Sequence, residues 1–263
     1  MKFALAADIA ARLIVLEETT STNDDLASRV AEQVLPEFTA VVTMTQTAGR
    51  GRLGRTWEAP PGTALATSVL LHPRDASIDH DIYGWIPLIG GLAMSRAVSA
   101  LVPDREVTLK WPNDVLIEGN KVCGLLCELL PDGSVVVGAG VNLTIPDDAL
   151  PVPHATSLML MGVPDAAEEL ADLVLANYLR ELGALWSALV SAAPDEGLRD
   201  IRSAVSAACS TLGKPIRLSL PDGTEDYGTA LDLDDTGRLR VRRDADGSVQ
   251  AVAAGDVTHL RYE

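Results

Sequence analysis

Between Val107 and Leu143 the chain reads as short strands separated by very tight connections. V-T-L-K-W-P-N-D-V-L-I-E is followed by the turn G-N at 119–120, then K-V-C-G-L-L-C-E-L-L, the turn P-D-G at 131–133, and S-V-V-V-G-A-G-V-N-L. Turns of two or three residues join antiparallel neighbours, whereas parallel strands need a crossover of about a dozen residues. The run therefore specifies an antiparallel meander. It excludes the alternating strand–helix order of a Rossmann domain.

Other elements fit around this meander. R-L-I-V-L-E-E (12–18), F-T-A-V-V-T-M-T-Q (38–46) and T-A-L-A-T-S-V-L-L (63–71) read as strands. S-T-N-D (21–24) matches a helix-start pattern, with Leu26, Val30 and Val34 on one face behind it. A helix is predicted from about Tyr83 to Leu101, with Pro87 in its first turn. A second spans about Asp165 to Leu189, where Leu170, Val174, Tyr178, Leu182, Leu185 and Leu189 recur at helical spacing. A shorter one runs through L-R-D-I-R-S-A-V.

The texture changes near Leu212-Gly213. Beyond Lys214 come short alternating segments punctuated by P-D-G, D-D-T-G and D-A-D-G, the pattern of a small β-barrel. A boundary at this point divides the chain into 1–212 and 213–263. A length of 263 residues with 47% apolar content fills one large core and a small second module. The expected class is α+β, a mixed or antiparallel sheet flanked by helices.

Composition also excludes function classes. No uncharged apolar run reaches the roughly 18–20 residues that span a bilayer. Asp8 and Arg12 interrupt the start of the chain before a signal-peptide apolar region is complete, so the cytoplasm is the expected compartment. Three cysteines (Cys123, Cys127, Cys209) make no disulfide framework, and the four histidines show no pair at ligand spacing, so no protein metal site is expected. A net charge of −16 argues against a binder of duplex DNA.

Against that charge, T-A-G-R-G-R-L-G-R-T-W (47–57) concentrates Arg50, Arg52 and Arg55 with three glycines. Arginine forks pair with carboxylate or phosphate, and glycines let a backbone approach a ligand closely. The segment is not a Walker loop, because G-x-x-x-x-G-K-[ST] is absent. Residues 49–54 match G-x-G-x-x-G, but R-T-W-E-A-P-P-G follows instead of a helix. A solvated arginine loop is the plain alternative.

K-W-P-N-D (110–114) marks a bend inside a strand, flanked by Lys110 and Asp114. A hairpin at G-N returns Lys121 beside this strand, so cation, amide and carboxylate converge there; alone, Lys121 is an ordinary turn lysine. Capping accounts for Ser21, yet a helix start also offers free N–H groups to a ligand. In G-A-G-V-N (138–142) the glycines mark close approach of a ligand or another backbone. Asn142 either reads a nucleobase edge or satisfies a neighbouring backbone group.

Taken in order, S-T-N, T-Q-T-A-G-R-G-R-L-G-R-T-W, K-W-P-N-D, G-N-K-V-C-G-L-L-C-E and G-A-G-V-N-L resemble the catalytic domain of biotin–protein ligases. The closing A-G-D-V-T-H-L-R resembles the end of that family's C-terminal domain. The resemblance implies a class II synthetase-like catalytic domain followed by a small SH3-like β-barrel. It implies an enzyme that joins biotin to ATP as biotinyl-5′-AMP, with Mg²⁺ riding on the triphosphate. The biotinyl group then passes to a lysine of an apo biotin carboxyl carrier domain.

Carried over residue by residue, the resemblance assigns biotin to Ser21, Thr22, Asn23, Gln46, Arg50, Gly51, Arg52 and Lys121. It assigns the nucleotide to Arg52, Arg55, Trp57, Asn113 and Asn142. Catalysis falls to Lys121, Arg52, Lys110 and Asp114, and Trp57 covers the site when the loop folds down. Two departures stand out: Cys123 replaces a smaller non-thiol residue and Leu53 a position that is often basic. Only twenty residues precede S-T-N, too few for the winged-helix domain of the family's repressors. Neither a nucleic-acid nor a membrane partner is expected, and the protein is expected as a monomer or weak homodimer. A lipoate-type ligase of the same fold is the nearer alternative. A nucleic-acid-binding module is the farther one.

Overall fold

The computed structural model describes residues 2–73, 80–164, 166–190, 194–220, 223–253 and 255–260. Its first strands are β1 (Arg12–Val15) and β2 (Thr39–Thr43), and a two-residue hairpin, β3 (Gly49–Arg50) with β4 (Thr56–Trp57), carries the arginine loop. Then come β5 (Ala64–Leu71), β6 (Val107–Lys110), β7 (Asp114–Ile117), β8 (Asn120–Leu129) and β9 (Val135–Asn142). Seven of these form one sheet in the order β1-β2-β5-β9-β8-β7-β6. The β6–β9 run is the expected antiparallel meander, and the parallel β1–β2 pair makes the sheet mixed.

Both of the expected N-terminal strands end early. The Thr43 hydroxyl accepts from Thr45 N–H at 3.0 Å, which turns the chain out of the ladder. Gln46 then meets Thr19 in an isolated parallel bridge. The meander turn is also shifted by one residue: Glu118 and Gly119 occupy it with φ of 48° and 78°, and Asn120 already belongs to β8.

The helices are α1 (Ala4–Ala7), α2 (Thr22–Glu32), α3 (Ile86–Ser99), α4 (Ala167–Leu189) and α5 (Pro194–Ala208). A 3-10 turn at His80–Trp85 precedes α3, so the helix starts later than its periodicity suggests, with Pro87 in the first turn. All six expected apolar positions of α4 are buried; the predicted start at Asp165 lies outside the described residues. α3 and α4 cover one sheet face and bury it in the main core. On the opposite face α2 covers only a corner, where Leu26 packs with Val41, Leu70 and Val136.

That second face explains where a ligand can go. The β5–β9 register pairs Leu70 with Val136, Ser68 with Gly138, Ala66 with Gly140 and Ala64 with Asn142. Moving away from α2, the side chains shrink from leucine and valine to serine, alanine and glycine. The sheet therefore carries a trough beside α2.

The C-terminal strands are β10 (Pro215–Ser219), β11 (Glu225–Leu233), β12 (Leu239–Arg243), β13 (Val249–Val252) and β14 (Asp256–His259). They form a five-stranded antiparallel sheet in the order β13-β12-β11-β10-β14, and no pairing between the two edges closes it among the described residues. The first residues of the expected P-D-G turn, 221–222, lie outside the described residues. The D-D-T-G turn docks this sheet on α3: Trp85 Nε1–H donates to Asp235 O at 2.9 Å. A Cβ on Gly84 would stand 2.1 Å from Thr236 O, so the two backbones meet without side chains between them. Among the described residues no helix is long and apolar enough to cross a membrane.

Candidate active site

The trough widens into a cavity of about 1070 Å³ that runs from the start of α2 to the C-terminal sheet. This is the upper end of the range for small-ligand sites, with room for two small molecules side by side. At the α2 end Ser21 caps the helix, accepting from Asp24 N–H at 3.4 Å. Gln46 Oε1 accepts from Thr22 N–H at 2.9 Å, a contact made possible by the Thr19–Gln46 bridge. Ser68 Oγ lies 2.6 Å from Asn23 Oδ1 and 2.8 Å from Thr22 Oγ1. Its single proton goes to Asn23 Oδ1, which can only accept. The amide orientation is fixed because Asn23 Nδ2 donates to Glu128 Oε1 at 2.6 Å and Leu126 O at 3.2 Å. A Cβ on Gly138 would sit 2.2 Å from Asn23 Oδ1, so this network exists only because Gly138 has no side chain.

At mid-cavity one cross-strand row carries Lys110, Asp114, Gly124 and Gly140 on the trough face. Lys121 joins them through a β-bulge. Val115 faces Cys123, but Leu116 faces Lys121, so Val122 is an extra residue. Regular pairing would set Lys121 opposite Ile117, which is buried in the core. With the bulge, Lys121 Nζ instead lies 2.6 Å from Asp114 Oδ1, its ammonium 5.7 Å from the centre of the Trp57 ring. The indole rests over the meander, where a Cβ on Gly140 would stand 2.5 Å from it.

The arginines diverge. Arg50 turns to the α2 end, where it pairs with Asp24 and with Glu128 Oε1 at 2.8 Å. Arg52 points inward: Nη1 donates to Asn113 Oδ1 at 3.3 Å and Gly255 O at 3.1 Å, and lies 3.9 Å from Asp256. Arg55 pairs with Asp256. Burial lowers the Arg52 guanidinium from its ordinary value, and Asp256 and Asp114 oppose that shift. Burial likewise lowers Lys110, partly offset by Asp114. Four cations (Lys110, Lys121, Arg52, Arg55) thus gather around two carboxylates, an excess of positive charge suited to anionic substrates.

Residues 15–144 match the biotin/lipoate A/B protein ligase family, and residues 211–260 match the biotin protein ligase C terminal domain. The chain is 37% identical over 254 residues to the biotin–[acetyl-CoA-carboxylase] ligase of Mycobacterium tuberculosis, spanning 95% of this chain and 90% of that protein. It belongs to the biotin protein ligase family. The fold of this ligase matches the Aquifex aeolicus biotin protein ligase in complex with biotin and ATP, with a TM-score of 0.72 and 26% identity over 96% of this chain and 100% of that one. It also matches the Leishmania major biotin protein ligase in complex with biotinyl-5-AMP, at TM-score 0.59 and 27% identity over 93% and 99% of the two chains.

Every expected site residue of the ligase lines this cavity: Ser21, Thr22, Asn23 and Gln46 at one end, the arginines, Gly51 and Trp57 on the loop, and Lys110, Asn113, Asp114, Lys121 and Asn142 on the sheet. Arg50 and Asn113 are among those already engaged. Arg50 holds two carboxylates, and Asn113 is spanned between Arg52 and Leu125 O, to which it donates at 2.8 Å. Sequence reasoning missed Ser68, Glu128 and Asp256. Ser68 had a signal, a hydroxyl next to Thr67 at mid-strand between apolar residues; Asp256 had none, since its partners lie two hundred residues away. Among the described residues no cluster of three His, Cys, Asp or Glu side chains can hold a metal ion. Cys127 is pushed up to about 12 by burial, and Cys123 higher still, so both thiols stay protonated at neutral pH.

Proposed function

We propose that this ligase condenses biotin with MgATP to biotinyl-5′-adenylate and passes the biotinyl group to a lysine of an apo biotin carboxyl carrier domain. One observation carries this reading: Arg52 and Lys121, from separate segments, line the same cavity that ends in the S-T-N network. A biotin carboxylate oxygen attacks the α-phosphorus, the bond to the β-phosphate breaks, and pyrophosphate leaves. Both reactants are anionic, so the reaction needs cations where repulsion peaks. Lys121 and Arg52 supply them, with Lys110 behind.

The hydrogen-bonding groups at the start of α2 suit the biotin ring system, held by Ser21, Thr22, Asn23 and Gln46. Asn142 favours the adenine end: Nδ2 donates to Thr156 O at 2.9 Å, while the buried Oδ1 has no hydrogen-bond partner among the described residues and is available to an exocyclic amine. Magnesium arrives on the triphosphate as part of the substrate, in keeping with a cavity richer in cations than carboxylates. In the second step the acceptor amine attacks the acyl carbon and AMP leaves. Asp114 takes the amine proton once Lys121 is drawn to the substrate anions. Residues 1–212 carry this chemistry, and 213–263 close the far side of the cavity.

The test is incubation with biotin, MgATP and an apo carrier domain. Pyrophosphate release and an acceptor heavier by one biotinyl group are expected. Turnover with lipoate but not biotin would overturn the reading.

A further inference from the structure

We propose that Asp256 is a positioning residue that clamps the arginine loop over the cavity. The inference rests on the adenylate-forming reading above, and concerns how the intermediate is kept. Two arginines of one 3-10 turn, Arg52 and Arg55, converge on this carboxylate, and Arg52 also binds the neighbouring Gly255 carbonyl. The Asp256 side chain is only 19% exposed although Arg55 is 67% exposed, so the carboxylate is partly withdrawn from water where a charge pair is stronger than at an open surface. β14 fixes its position, because Asp256 pairs with Ser219 in the C-terminal sheet.

The loop has little else to hold its tip. Its hairpin consists of two residue pairs, Gly49 with Trp57 and Arg50 with Thr56. Between the two strands of this hairpin the one large apolar side chain, Leu53, is 49% exposed. Closure of the tip therefore depends on ionic contacts reaching across from the catalytic sheet to the C-terminal one. An adenylate beneath the loop is a mixed anhydride, and each opening exposes it to water and to release. Asp256 thus governs retention of the intermediate more than its formation.

The experiment compares wild type with Asp256→Ala, Asp256→Asn and Asp256→Glu, each loaded with labelled biotin and MgATP without acceptor. Free adenylate and its hydrolysis products are measured in the filtrate, and melting temperature is followed alongside. Asp256→Ala and Asp256→Asn are expected to raise the escape rate at least fivefold, with formation of the first equivalent changed less than twofold. Asp256→Glu restores retention to within twofold. Arg55→Ala combined with Asp256→Ala leaks no more than the leakier single variant, because the pair acts as one contact. Wild-type retention in a folded Asp256→Asn, or leaks that multiply in the double variant, would overturn the clamp. A wild type that makes no adenylate would instead remove the ligase reading itself.

Discussion

The two ends of the cavity are built by opposite means. At the α2 end, the buried Thr22, Asn23 and Ser68 and the half-buried Gln46 satisfy one another in a network fastened to sheet and helix. Nothing there must move for a ligand to be read. At the arginine end, position is set by ion pairs and hydrogen bonds among three segments distant in sequence: residues 52 and 55, residue 113, and residues 255 and 256. The first end is rigid because its polar groups are buried and paired, which makes any disturbance costly. The second is held by partly hydrated ions that a substrate anion can outbid. On the proposed function, selectivity for the vitamin belongs to the first end, and sequestration of a labile product to the second.

Three substitutions sharpen that contrast. Lys121→Ala should have the largest effect, slowing adenylate formation about 10²–10³-fold, as expected for removing a cation from a site of developing charge. Pyrophosphate release measures it, and a near-normal rate would remove Lys121 from the chemistry. Gly138→Ala comes next. Its Cβ would displace Asn23, and overpacking of about 1–3 kcal/mol corresponds to roughly 5–150-fold weaker biotin binding. Calorimetry on the folded variant decides it; unchanged affinity would show that the α2 end is less rigid than described. Ser21→Ala is the smallest, a lost helix cap of about 1 kcal/mol that lowers the melting temperature by about 2–4 °C.

Much of the sheet could be read from local patterning. The β6–β9 meander and the α4 stripe follow from turns and periodicities that span a few residues. The S-T-N corner was half legible: the cap is a local pattern, whereas Ser68 and Glu128 depend on which strands become neighbours. Arg50 shows the limit most clearly. Its charge suggested substrate contact, but Asp24 and Glu128 lie close enough to neutralise it. Asp256 lay beyond sequence reasoning altogether, because an ion pair between residues 55 and 256 leaves no periodic trace in either segment.

The extra residue in β8 has a consequence for anyone altering this hairpin. Side chains on a strand alternate like the teeth of a zip, and Val122 shifts the alternation by half a step just after Lys121. Straightening the bulge with every residue kept would leave the lysine in the sequence but set it opposite Ile117 and turn its ammonium into oil. What places the ammonium in the trough is therefore the irregular pairing of this strand as well as the identity of its residues.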